Sequence, residues 1–100
     1  MSKSIEVIIE SYLEDLIPMY LENRQADVAA IEASLASGDL ETARSLGHQM
    51  KGSGGGYGFD RLTEIGGAME AAAREADADA VRQALDDLKD YLERVVVRYE

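Results

Sequence analysis

Residues 81–99 read VRQALDDLKDYLERVVVRY. Val81, Leu85, Leu88, Leu92, Val95 and Tyr99 recur there at alternating four- and three-residue steps, the period that keeps side chains on one face of an α-helix. The spacing predicts one amphipathic helix from the Asp77–Asp79 turn to Tyr99. The same period extends upstream. From about Asp60, the residues Leu62, Ile65, Met69, Ala72 and Ala76 trace a second apolar face. Leu40, Ala43, Leu46, Gly47 and Met50 trace a third, on a helix running from about Leu40 to a glycine cluster, with Asp39 as its expected N-cap. Before it, Leu21, Val28, Ile31 and Leu35 stand in heptad-like register on a helix with Pro18 in its first turn and Ser37-Gly38 at its end.

The N-terminal residues Ile5, Ile8, Ile9, Tyr12, Leu13 and Leu16 also fit one helical face. β-branched alternation is scarce, so the reading is all-α: an antiparallel up-down-up-down four-helix bundle with an additional short N-terminal helix covering one end or side. A chain of 100 residues with 46% apolar content suits a single domain over residues 1–100. No linker or repeat divides it.

Composition excludes several functions. With no cysteine, neither a disulfide framework nor a thiolate metal site can form. Glu6, Glu10 and Glu14 interrupt the apolar start, which is wrong for a secretory signal, and no apolar run approaches a membrane span. A soluble, cytoplasmic protein is expected. The net charge of −10 argues against nucleic acid as a partner. Charge is unevenly spread, however: from Arg44 to Arg61 there are three cations and one anion, against seven cations and nineteen anions elsewhere. The only histidine, His48, lies in that stretch.

At 100° per residue, His48 points roughly 140° away from the apolar centre of its helix, toward solvent. Arg44 and Lys51, at i−4 and i+3, flank it, and Gly52, at i+4, leaves the next surface position bare. A lone surface histidine with charged neighbours is ordinary by itself. Gly52 is less so, because a glycine inside a helix costs about 1 kcal/mol relative to alanine. The run Gly54-Gly55-Gly56 reads more simply as the helix end.

The motif His48-Gln49-Met50-Lys51-Gly52-Ser53 resembles the His-x-x-Lys-Gly-Ser core of histidine-containing phosphotransfer (Hpt) domains, the carriers of multistep phosphorelays. Tyr57-Gly58-Phe59, then Leu62, Ile65, Met69 and Glu70, continue the family's pattern in register, and Leu16 to Arg24 is similar to its second helix. The resemblance implies that His48 accepts a phosphoryl group from a receiver-domain aspartate and passes it to another receiver. It places Lys51 near the phosphoryl oxygens and Glu70 where the family often has a Gln or Glu hydrogen-bonded to the imidazole. Arg44 is a further candidate helper from its helical position, and Gly52 and Gly55 are candidate partner-docking positions.

The implied partners are response-regulator receivers and a hybrid histidine kinase, with the chain itself expected to be a monomer. No cofactor is expected on this chain, whereas a divalent metal is expected on the receiver. GSGGGYG lacks the Lys-Ser/Thr of a P-loop, so the chain reads as a phosphoryl carrier rather than an autonomous kinase. Two departures stand out: Gly47 replaces a frequent alanine, and the triple glycine is unusual, both suggesting a loosened helix. The alternatives are the phosphoacceptor domain of a histidine kinase or chemotaxis kinase, and a noncatalytic bundle that binds a protein partner. Gln49 and Lys51-Gly52 stand where the histidine kinase module usually has an acidic residue and a proline.

Overall fold

A computed structural model describes residues 3–100. Four helices carry the fold: α1 (Ile17–Ala36), α2 (Glu41–Ser53), α3 (Asp60–Arg74) and α4 (Ala78–Arg94). Each packs on the next, and α1 packs on α4, closing a ring around one apolar core. The short connections at 37–40, 54–59 and 75–77 make sequence neighbours antiparallel. Ile31, Ala43, Met50, Phe59, Leu62, Met69, Val81 and Leu88 are fully enclosed.

The helix boundaries follow local chemistry. Pro18 lies in the first turn of α1, where its missing N–H costs nothing. Past Ala36, Gly38 adopts φ +77° and turns the chain. Asp39 accepts at Oδ1 from the Glu41 N–H at 2.8 Å, so it serves the first turn of α2 although that helix begins one residue later than expected. Asp77 caps α4 through the Ala80 N–H at 3.0 Å.

Three expectations are corrected. The short N-terminal helix is absent, and Ile5–Ile9 is instead a strand, β1, followed by a single 3-10 turn at Ser11–Leu13. The last helix stops at Arg94, and Val95–Tyr99 forms β2, paired in parallel with β1 in the register Ile5↔Val95 to Ile9↔Tyr99. The fold is therefore the expected four-helix bundle, with a two-stranded ribbon in place of the short N-terminal helix and the end of the last one. The physical reason is β-branching: Ile5, Val7, Ile8 and Ile9, and Val95, Val96 and Val97, lose side-chain freedom in a helix and pack well on a pleated strand. Third, Ala76 is not on the buried face of α3. It is exposed beyond the helix end with φ +56°, the left-handed position that closes many helices.

Candidate functional site

The α2–α3 contact builds the site, and two glycines set its closeness. A Cβ on Gly47 would lie 2.9 Å from the Glu70 nitrogen and the Gly66 carbonyl oxygen. One on Gly66 would lie 2.5 Å from the Lys51 nitrogen and 2.6 Å from the Gly47 carbonyl oxygen. Backbone packs directly on backbone here, so His48, next to Gly47, and Glu70, one turn after Gly66, can meet. Gly47 thus permits a close approach of α2 to α3.

His48 follows Gly47 and points outward, with its side chain 67% exposed. Its Nδ1 lies 2.8 Å from Oε2 of Glu70, whose side chain is only 6% exposed. Partial burial raises the Glu70 carboxyl, but hydrogen bonds from His48 and Arg74 and their charges outweigh it, leaving the group below its usual pKa. A carboxylate can only accept, so Nδ1 carries a proton, and in the neutral ring Nε2 is the nitrogen left with a lone pair.

Two cations complete the cluster. Lys51 Nζ is 3.6 Å from Glu70 Oε1, and Arg74 donates to Oε2 at 3.1 Å from one turn along α3. His48, Lys51, Gly67, Glu70, Ala71 and Arg74 together line an open basin of about 320 Å³. The sequence reading missed Arg74, although the Glu70-x-x-x-Arg74 spacing places the pair on one helix face. Arg44, by contrast, is not part of the basin: its guanidinium forks onto Glu41, with Nε 3.0 Å from Oε2, an engagement that raises the arginine and lowers the glutamate.

The candidate docking glycines separate. Nothing lies within 4 Å of a Cβ built on Gly52, so its surface is open beside the basin's Lys51. Gly55 lies past the end of α2, its N–H donating to Thr63 Oγ1 at 2.8 Å, and lines a different cleft with Ile8, Tyr12 and Gly56. Between them Ser53 anchors the helix end. Its hydroxyl is 2.9 Å from that of Tyr20 and 3.5 Å from Arg24 Nη1. Tyr20 stacks on Tyr57 at 4.2 Å, and Arg24 pairs with Asp27 at 2.8 Å. Burial raises the Asp27 carboxyl despite that partner.

The model of the Hpt domain matches residues 15–97. The chain belongs to the Hpt domain family. Family membership makes this Hpt domain a histidine-containing phosphotransfer module of phosphorelays. The matched span holds all four helices and every side chain of the basin, while β1 lies outside it. No curated protein and no solved structure matches the chain significantly. Among the described residues, no helix is long and apolar enough to cross a membrane.

Proposed function

We propose that His48 accepts a phosphoryl group from the aspartyl phosphate of a receiver domain and passes it to the aspartate of another receiver, as the carrier of a two-component phosphorelay. The observation that supports this most is the 2.8 Å contact between a buried carboxylate and Nδ1 of an otherwise exposed imidazole. It holds the ring in the tautomer whose Nε2 can attack phosphorus in line. The N–P bond forms as the P–O bond to the donor aspartate breaks, and the aspartate leaves as a carboxylate. Nδ1 keeps its proton throughout, and Glu70 stabilises the positive charge that develops on the ring. Onward transfer reverses these steps.

Lys51 and Arg74 offset the repulsion between an incoming phosphoryl dianion and a chain of net charge −10. Gly52 leaves an approach for a receiver's recessed aspartate. The receiver supplies the divalent metal and a lysine, so that the carrier needs no cofactor of its own. This reading places the protein in the cytoplasm with its receivers.

The test is to mix the protein with phosphorylated receivers from the same source and assay for acid-labile, alkali-stable phosphate. Transfer is expected to wild type and to vanish in His48→Gln with the helical circular dichroism unchanged. Persistent labelling of that variant would move the acceptor elsewhere. Failure with every cognate receiver would favour a noncatalytic interaction module.

A further inference from the structure

The basin sets one buried carboxylate among three exposed donors, and the donors are not equivalent. His48 Nδ1 at 2.8 Å and Arg74 Nη2 at 3.1 Å converge on the same oxygen of Glu70, Oε2. Lys51 Nζ faces Oε1 at 3.6 Å, an ion pair too long for a hydrogen bond. Among the described residues, Arg74 is therefore the one side chain that hydrogen-bonds Glu70 besides the histidine. Its place does not depend on a bound partner. It ends α3, four residues after Glu70, where both the spacing and the helix dipole favour a cation.

Glu70 brings a conflict to the imidazole it holds. A carboxylate beside the ring favours the imidazolium, that is, uptake of a second proton. Because Nδ1 already carries one, the second would go to Nε2 and occupy the lone pair that must attack phosphorus. We propose that Arg74 is a positioning residue acting through Glu70: it shares Oε2 and offsets its charge, so that the carboxylate holds Nδ1–H without drawing a proton onto Nε2.

The charges around the ring support this. His48 faces Glu70, Lys51 and Arg74, so a second ring proton is added where cations already outnumber anions by one. Without Arg74, Lys51 alone opposes Glu70, and it does so at the other oxygen. Arg44 feels the Glu70 charge but is forked onto Glu41, one turn earlier on α2. Among the described residues, none from α1 or α4 lines the basin. Burial by itself raises the Glu70 carboxyl, and the hydrogen bonds and charges of His48 and Arg74 bring it below its usual range, so the acceptor stays ionised when shared. The consequence for transfer rests on the phosphotransfer reading, whereas the effect on the ring does not.

The chain has one histidine, so nitrogen-15 NMR follows the ring of the intact protein without ambiguity as pH is varied. Arg74→Gln, at an exposed side chain, should raise the pH at which half the rings hold two protons by about half a unit or more. In the Glu70→Gln background the same substitution should move that midpoint less than half as far. In transfer from one phosphorylated receiver, the rate of Arg74→Gln relative to wild type should fall about twofold or more between about pH 8 and about pH 6. A residue that only neutralised the incoming phosphoryl group would lower that ratio equally at both. An unmoved midpoint, an equal shift in the Glu70→Gln background or a ratio constant with pH each overturns the proposal. Absence of transfer from every receiver would refute the phosphotransfer reading, and the NMR titration would still decide the role of Arg74.

Discussion

Gly66→Ala is the most informative single perturbation of the helix pair that holds the site. On propensity alone, alanine in the middle of α3 should stabilise the protein by up to about 1 kcal/mol. The structure reverses that sign. The added Cβ would sit 2.5 Å from the Lys51 nitrogen, 2.6 Å from the Gly47 carbonyl oxygen and 2.9 Å from Met50 Cβ. These distances fall roughly 1 Å short of ordinary van der Waals contact. The atoms met are mostly backbone, so no side-chain rotation relieves them, and α2 must move away from α3. Overpacking of this kind costs about 1–3 kcal/mol, and the upper part of that range applies here.

Set against the propensity gain, the net loss is about 1–2 kcal/mol, a fall in melting temperature of roughly 5–15 °C for a domain of this size. Urea and thermal denaturation measure it, with Gly52→Ala as the control. A Cβ at Gly52 meets nothing within 4 Å, so that variant should be neutral or slightly stabilised. If Gly66→Ala melts at or above the wild-type temperature, the close helix contact inferred from Gly47 and Gly66 is wrong. The same variant carries a functional signature. Separating the helices by even part of 1 Å lengthens the 2.8 Å contact between His48 and Glu70, so transfer should slow even at temperatures where the variant is fully folded.

Glu70→Ala removes the acceptor for Nδ1 and should slow phosphoryl transfer about 10–100-fold, with Glu70→Gln recovering part of the rate because it still accepts a hydrogen bond; equal rates in all three proteins would remove Glu70 from the site. The folded-state pKa of Glu70 is depressed, so its contribution to stability is present above the unfolded-state pKa and is lost as pH falls through the folded value. Glu70→Gln should accordingly narrow its stability difference from wild type as pH drops below the usual glutamate range, measured by urea denaturation. Gly52→Gln should fold like wild type yet sharply slow transfer, and a wild-type rate would reject a docking role for that surface. Ala76→Gly relieves a left-handed residue and should stabilise the protein by about 1 kcal/mol in the same denaturation assay.

Helical periodicity located all four helices because each buries a broad apolar stripe, and it failed where two periods coincide. Val95 and Tyr99 are four residues apart, which suits one face of a helix and also one face of a strand if Val97 joins them. Tyr99 therefore could not discriminate, whereas three successive valines could have. The pairing of β1 with β2 joins segments at opposite ends of the chain, and no local pattern encodes it. Glu70 was legible only through the family resemblance, since its sequence context alone reads as a surface glutamate and nothing local in the sequence announces its 2.8 Å contact with His48. The engagement of Arg44 was not legible for the complementary reason: a helical wheel gives the direction in which a long side chain leaves the helix, not the partner it finds. Glu41, three residues earlier, claims it.

The two glycines of the α2–α3 contact explain why the site has its peculiar combination of exposure and rigidity. An acceptor imidazole must present Nε2 to a partner, so the ring cannot be buried. It must also keep Nδ1 protonated, so the ring needs a fixed acceptor, and an acceptor in water would be mobile and weak. Close backbone approach at Gly47 and Gly66 resolves the conflict by letting Glu70 lie almost wholly covered while its carboxylate reaches the base of an exposed ring. Any larger residue at Gly66 would separate the two requirements: the histidine would remain exposed, but nothing would hold its tautomer. Glycine weakens each helix individually, but the close approach it permits sets the distance that the proposed transfer would use.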